Sequence, residues 1–235
     1  MEKNIELYDG LGYCRYVHHL GTDRDITRAA RTSYGQQDED RTEEQDKKLL
    51  MYLYRHRHTS PFEQVNITFQ IKMPIFVMRQ FVRHRTFRLN EFSGRYKELP
   101  DEFYIPKKWR IQNKTNKQGS DEAGGIDHQR CTRMSKAACE DAAGTYKLLL
   151  AEGVATEMAR LVLPVNVMTL IVVNCDLHNL MHFLRLRCDS HAQKEIQDLA
   201  QAMKEIAIDL FPWTMEAFDR FKVDVYDSHE DDRSR

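Results

Sequence analysis

Long apolar runs are missing from this 235-residue chain. None approaches the length of a membrane span, and the N-terminal stretch MEKNIELYDG has no apolar signal core, so a soluble, cytoplasmic protein without a membrane partner is expected. Nor is there an excess of charge: 35 Lys and Arg meet 36 Asp and Glu, for a net charge of −1. That excludes a polyanion-binding field over the whole surface. Cysteine is sparse and unpatterned. Cys14, Cys131, Cys139, Cys175 and Cys188 are odd in number and widely spaced with no CxxC, which favours reduced thiols over a disulfide framework. No GxGxxG opens a helix and no HExxH appears, so neither a Rossmann-type nucleotide turn nor that zinc motif is available. Internal repeats and linker-like composition are also lacking, and the length suits one large domain spanning residues 1–235.

What the chain does have is arginine concentrated in one place. Arg83 to Tyr96 reads RHRTFRLNEFSGRY, with four arginines, a histidine, a glutamate, an asparagine and a Ser-Gly pair, tethered by the apolar Leu89 and Phe92. Guanidinium forks bind phosphates and carboxylates bidentately, so this density implies an anionic ligand bound locally. Ser93-Gly94-Arg95 can offer successive backbone amides and a guanidinium to a phosphate; an ordinary turn is the plainer alternative.

The surrounding pattern is mixed. Residues 4–20 read as short strands around Gly10 and Gly12, and Asp23 to Arg31 as a helix with Thr22 or Asp23 at its N-cap. The charge run Gln36 to Lys48 reads as a solvated loop entering a helix over 46–56. Val65 to Lys72 alternates like a half-buried strand. Pro74 then fits the first turn of a helix whose buried stripe is Ile75, Met78, Phe81 and Val82, with Gln80, Arg83 and His84 on the other side. Phe103 to Ile105 reads as a strand and Lys107 to Arg130 as an insertion loop. Helices follow over 131–152, closed by Gly153, and over 155–163, stopped at Pro164. Val167 to Val173 suits a buried strand, with a helical segment as the alternative. Leu177 to Arg187 is a helix with Leu177, Leu180, Met181 and Leu184 on its apolar side and His178, His182 and Arg185 on its polar side. Arg187 returns near the apolar stripe, so it needs a ligand or a carboxylate such as Asp189. Glu195 to Leu210 is the final amphipathic helix, and the tail from Asp224 is frayed. The fold class expected is α+β, one domain with a central antiparallel or mixed sheet flanked by helices.

The arginine-rich stretch resembles the RHRxxSxNxxSxR signature of flavin-dependent thymidylate synthases, with Arg88 where serine is usual. RAARTSY (28–34), HTSPFEQ (58–64), PIFVMRQ (74–80), EMARLVLP (157–164), LRCDSHAQ (186–193) and PWTMEAF (212–218) resemble further family blocks in the family's order. The resemblance implies reductive methylation of dUMP to dTMP without a protein nucleophile. FAD is then the cofactor, 5,10-methylenetetrahydrofolate the carbon donor and NADPH the reductant, in a homotetramer with shared active sites. It assigns dUMP to Gln80, Arg83, Glu91, Phe92, Ser93, Gly94, Arg95, Arg160 and Arg187, with Arg187 activating the uracil. It assigns FAD to Ser33, His58, Ser60, Arg83, His84, Arg85, Asn90, Glu91, Asp176, His178 and His182. Asp176 and His178 stand where Asn and Arg are frequent. Arg88 either points to solvent or meets an adenosine phosphate, or else marks transfer of a different one-carbon group; the first is the simpler.

Two rival classes use the same residues. His178 and His182 at i,i+4, with His191 or Asp176, suit a metal site, although two histidines on a polar helix face are more often solvated. The arginine cluster suits a nucleic-acid module, which usually comes with a basic domain that this chain lacks.

Overall fold

A computed structural model describes residues 3–33, 35, 41–114, 119–122 and 124–221. In chain order its elements are β1 (Asn4–Leu7), β2 (Gly12–Leu20), α1 (Asp23–Thr32), α2 (Glu43–Arg55), β3 (Asn66–Pro74), α3 (Ile75–Phe81), β4 (Arg88–Glu91), β5 (Ile111–Gln112), β6 (Ser120–Asp121), α4 (His128–Ala151), α5 (Thr156–Ala159), β7 (Met168–Asp176), α6 (Leu177–Arg187), α7 (Lys194–Leu210) and α8 (Pro212–Arg220). Single-turn 3-10 segments cover Tyr8–Gly10, Ser60–Gln64 and Arg160–Val162.

Five strands form one sheet in the order β1-β2-β3-β7-β4, and every pairing is antiparallel. The central pair runs from Asn66 opposite Asp176 to Pro74 opposite Met168. Side chains alternate across a pleated strand, so Ile67, Phe69, Ile71 and Met73 share one face with Thr169, Ile171, Val173 and Cys175, and all eight are buried. α3, α6 and α7 pack on strands of this sheet, and α8 packs behind them on α2 and α7. Phe62, Phe69, Phe81, Phe183, Phe211 and Phe218 are fully buried in this core, each contributing about 1.5–3 kcal/mol of transfer free energy. The opposite face is more open: Val172, Val17 and Leu20 are exposed, and Gln70 accepts from Tyr13 and Arg15.

Local sequence explains the boundaries. α2 begins at Glu43, earlier than expected from the apolar pattern, because Thr42 and Gln45 form a reciprocal capping box. Residues 36–40 of the charge run lie outside the described residues, as does the tail from Asp224. Pro74 ends β3 and flanks α3 rather than sitting in its first turn. The buried stripe of α3 is Val77, Met78 and Phe81, whereas Val82 is exposed and Ile75 half-buried, because the helix turns into a loop after Phe81. The segment at 103–105 is reduced to one bridge, Phe103 opposite Val167. The insertion carries the small hairpin β5–β6, and α4 starts three residues before Cys131, capped by Asp127. The segment after Pro164 is a strand, extending to Asp176. α7 is not the last helix: α8 follows it, its N-terminus capped by buried Asp23, which accepts from Trp213 N (2.8 Å), Thr214 N (3.2 Å) and Thr214 Oγ1 (2.5 Å).

Candidate active site

The edge strand β4 delivers the arginine-rich stretch. Glu91 sits opposite Ile171 and accepts from Thr169 Oγ1 at 2.7 Å, and Phe92 continues the ladder by donating its N–H to Leu170 O at 2.8 Å. The chain then turns. Ser93 Oγ accepts from Arg95 N–H at 3.3 Å, and a Cβ on Gly94 would lie 3.0 Å from Leu99 Cγ, so glycine lets that side chain close on the backbone. Arg95 is held from α5: its Nε donates to Glu157 Oε2 at 3.2 Å and its carbonyl accepts from Thr156 Oγ1 at 2.7 Å. Arg160 Nε donates to the Glu157 carbonyl at 3.3 Å. A cavity of about 660 Å³ opens here, and its lining includes Arg79, Glu91, Phe92, Ser93, Gly94 and Arg160. Cationic forks and a Ser-Gly turn on one wall suit an anion, with Glu91 and Glu157 keeping the local charge balanced.

Arg187 does not line this cavity; it ends α6 beside the RHR loop. Its Nε donates to His84 Nε2 at 3.2 Å. His84 is 9% exposed, edge-on to Phe183 (centroids 4.8 Å apart), stacked with Phe87 (5.9 Å) and 6.2 Å from His182. Burial, aided by the charges of Arg187 and His182, pushes its pKa down to about 4. It is therefore neutral near pH 7 and available as an acceptor. His84 thus lies inside, not on an exposed polar side of α3, while Arg83 and Arg85 on either side are exposed. Asp189, the alternative partner for Arg187, instead accepts from His191 N–H at 2.8 Å and lies 2.7 Å from His191 Nδ1. Gln80 donates to Gln193 at the start of α7.

A second cleft, of about 150 Å³, lies between the end of α2 and α6. It is lined by Leu53, Tyr54, Arg57, His58, Thr59, Phe62, His178, Met181 and Arg185. Arg185 Nη2 donates to Tyr54 Oη at 3.1 Å, whereas its buried Nε has no hydrogen-bond partner among the described residues. A buried cationic donor left unsatisfied among other donors fits an anionic group such as the diphosphate of a flavin dinucleotide. Of the other residues assigned to the flavin, Ser60 opens the 3-10 segment beside this cleft and Ser33 follows α1, exposed. Asn90 is exposed on β4, and the largely exposed His182 on α6 has its pKa lowered by partial desolvation and by neighbouring His178 and Arg185. Asp176 is buried and caps α6, one oxygen accepting from Asn179 N–H at 2.9 Å and the other from Asn179 Nδ2 at 2.7 Å. Among the described residues, no group of three or more His, Cys, Asp or Glu is placed to hold a metal ion, and no helix is long and apolar enough to cross a membrane.

The family model described as thymidylate synthase complementing protein, Thy1, matches residues 15–213. A flavin-dependent thymidylate synthase of Treponema denticola is 47% identical over 225 residues, covering 94% of this chain and 83% of that protein. The chain belongs to the flavin-dependent thymidylate synthase family. A Thermus thermophilus member is 47% identical over 208 residues, 88% of this chain and 76% of its own. The crystal structure of a UMP/dUMP methylase, PolB from Streptomyces cacaoi, bound with 5-Br dUMP superposes with a TM-score of 0.84 at 36% identity, covering 90% of this chain and 96% of that one.

Membership organises the three surfaces without merging them. Within one chain, Glu91 to Gly94 and Arg160 share a cavity with Arg95 at its border, whereas Gln80, His84 and Arg187 lie apart from its lining. Several site neighbours escape a reading of the sequence. Glu157 and Gln193 lie inside family blocks but bind through partners distant in sequence, and Thr169 reads as one more strand residue. Arg57 follows a helix end in a left-handed conformation (φ 58°), which no local pattern announces. Arg88 donates to Asn174 Oδ1 (3.1 Å) and Asn66 Oδ1 (3.5 Å) across the sheet.

Proposed function

We propose that this chain converts dUMP to dTMP as a cytoplasmic flavoenzyme, with FAD as cofactor, methylenetetrahydrofolate as carbon donor and NADPH as reductant. The observation that carries the reading is the Ser93-Gly94-Arg95 turn, set with Arg160 around one cavity in a chain of this family. There the turn and the guanidiniums hold the nucleotide phosphate, and Phe92 and Glu91 border the sugar and base.

Arg187 acts on the uracil. Its guanidinium pairs with a ring carbonyl and the adjacent acidic nitrogen, stabilising the anionic base and making the neighbouring ring carbon more nucleophilic. Neutral His84 accepts from Arg187 Nε, so it orients the fork through the inner nitrogen rather than the terminal amino groups. Arg57, His58, His178, Arg185 and the RHR loop would hold FAD, whose reduced form would supply the hydride, so no protein nucleophile is required. Ser93, whose oxygen already accepts from the backbone of its own turn, fits a binding role better than a nucleophilic one.

The division of nucleotide residues between two surfaces of one chain supports a homotetramer in which neighbouring subunits complete each site. Exposed Met158, Leu161 and Val165, next to Arg160, supply apolar area for such contacts. dUMP is the small-molecule partner and nucleic acid is not. The test is the visible spectrum of purified protein with and without dUMP, alongside its mass in solution. Flavin bands perturbed by dUMP, dTMP formed on adding folate and reductant, and a tetrameric mass are expected; a colourless protein that ignores dUMP refutes the reading.

A further inference from the structure

The insertion at 107–130 reaches a buried carboxylate through Arg110. Arg110, just before β5, donates from Nη2 to both carboxylate oxygens of Glu195, at 2.7 and 2.8 Å, and from Nε to Ser120 Oγ at 2.8 Å. The Glu195 side chain is 6% exposed and that of Arg110 19%. Glu195 also accepts from Gln193 Nε2 at 2.8 Å, and Gln193 Oε1 in turn accepts from Gln80 Nε2. An unbroken series of hydrogen bonds therefore runs from the hairpin to a residue of the proposed nucleotide site.

The series has a direction. A carboxylate only accepts, whereas a glutamine amide has a donating and an accepting end. Glu195 therefore obliges Gln193 to turn its NH₂ inward and its oxygen toward Gln80. Gln80 must answer with its own NH₂, which leaves its carbonyl oxygen to face elsewhere. Without the carboxylate, either amide can flip at little cost.

We propose that Arg110 is a positioning residue: by holding Glu195 as a bidentate partner it fixes the amide orientation of Gln193 and Gln80, and so presents the Gln80 oxygen to a hydrogen-bond donor of the bound nucleotide. The insertion is then a brace for substrate recognition rather than surface decoration. This rests on the assignment of Gln80 to dUMP.

The test is a titration of FAD-bound protein with dUMP, followed by the flavin difference spectrum, together with steady-state kinetics. Glu195→Gln keeps the shape but supplies a donor, so it permits the flip; Arg110→Met removes the partner of the carboxylate. Both should weaken dUMP binding about tenfold, the effect of losing one good hydrogen bond. KM for dUMP should rise more than kcat falls, and the FAD content should stay unchanged. Arg110→Lys should fall between Arg110→Met and wild type. Should Arg110→Met fail to fold, the isosteric Glu195→Gln and Arg110→Lys decide. dUMP affinity within twofold of wild type in Glu195→Gln, or loss of FAD together with dUMP, overturns the proposal while leaving the function standing. A wild-type protein that does not respond to dUMP overturns both.

Discussion

Two arginines of the proposed site, Arg95 and Arg187, live in different electrostatic worlds. Arg95 is 56% exposed and meets Glu157, itself 51% exposed, at the rim of a wide cavity. Arg187 is half-buried and bonded to a neutral imidazole walled by Phe87 and Phe183. The first arrangement is screened, exchangeable and suited to capturing a phosphate that arrives solvated. The second bonds through Nε to an uncharged ring in drier surroundings, where a guanidinium acts strongly on a developing anion. On the proposed reading, similar side chains divide between capture and activation according to what surrounds them.

The comparison breaks most sharply at Arg187. Replacing it with alanine should lower kcat by about 10³-fold, the scale of a lost transition-state donor, while FAD remains bound; full turnover in R187A would end the activating role. His84→Phe comes next. It keeps an aromatic ring but removes the acceptor, and should cost about tenfold in kcat, with His84→Gln recovering part of the loss; an unaltered kcat would show that Arg187 needs no tether.

The same histidine predicts a pH effect. Its folded pKa of about 4 lies below the ordinary value of 6.5. The unfolded chain therefore binds a proton that the folded chain refuses, so the contribution is full above pH 6.5 and is lost as pH falls toward 4. Chemical denaturation followed across that window should show stability declining with acidity, and less steeply in H84Q; parallel curves would contradict the assignment.

Smallest is Glu157→Gln at the open rim. Both partners are well exposed, so stability should change by less than about 1 kcal/mol and dUMP affinity by less than about threefold. A large loss would mean that the rim is organised as tightly as the interior.

How far these regions are legible in the sequence follows the same division. Period-two alternation in Val65 to Lys72 and the apolar side of Leu177 to Arg187 mark elements whose burial is decided along one segment. The composition of the Arg83 to Tyr96 stretch is the basis on which an anionic ligand is proposed. Helical spacing misplaces His84 because it assumes that the helix continues, and α3 stops at Phe81. α8 escapes assignment because its start depends on a cap from Asp23, 190 residues away, which no window contains. Gln193 and Glu157 likewise become site neighbours only through contacts made across the fold. That the residues assigned to the nucleotide by resemblance fall on two surfaces is a property of tertiary placement, invisible to any motif.

One carboxylate near the beginning of the polypeptide, Asp23, seats the last described helix, whose Met215, Ala217 and Phe218 are buried. A chain trimmed back to Phe211 would therefore lose more than a peripheral appendage. It would take from Asp23 the three donors of Trp213 and Thr214 and bare the hydrophobic seat left by α8. Truncation that removes α8 should meet an abrupt limit there, set by a residue 190 positions earlier in the sequence.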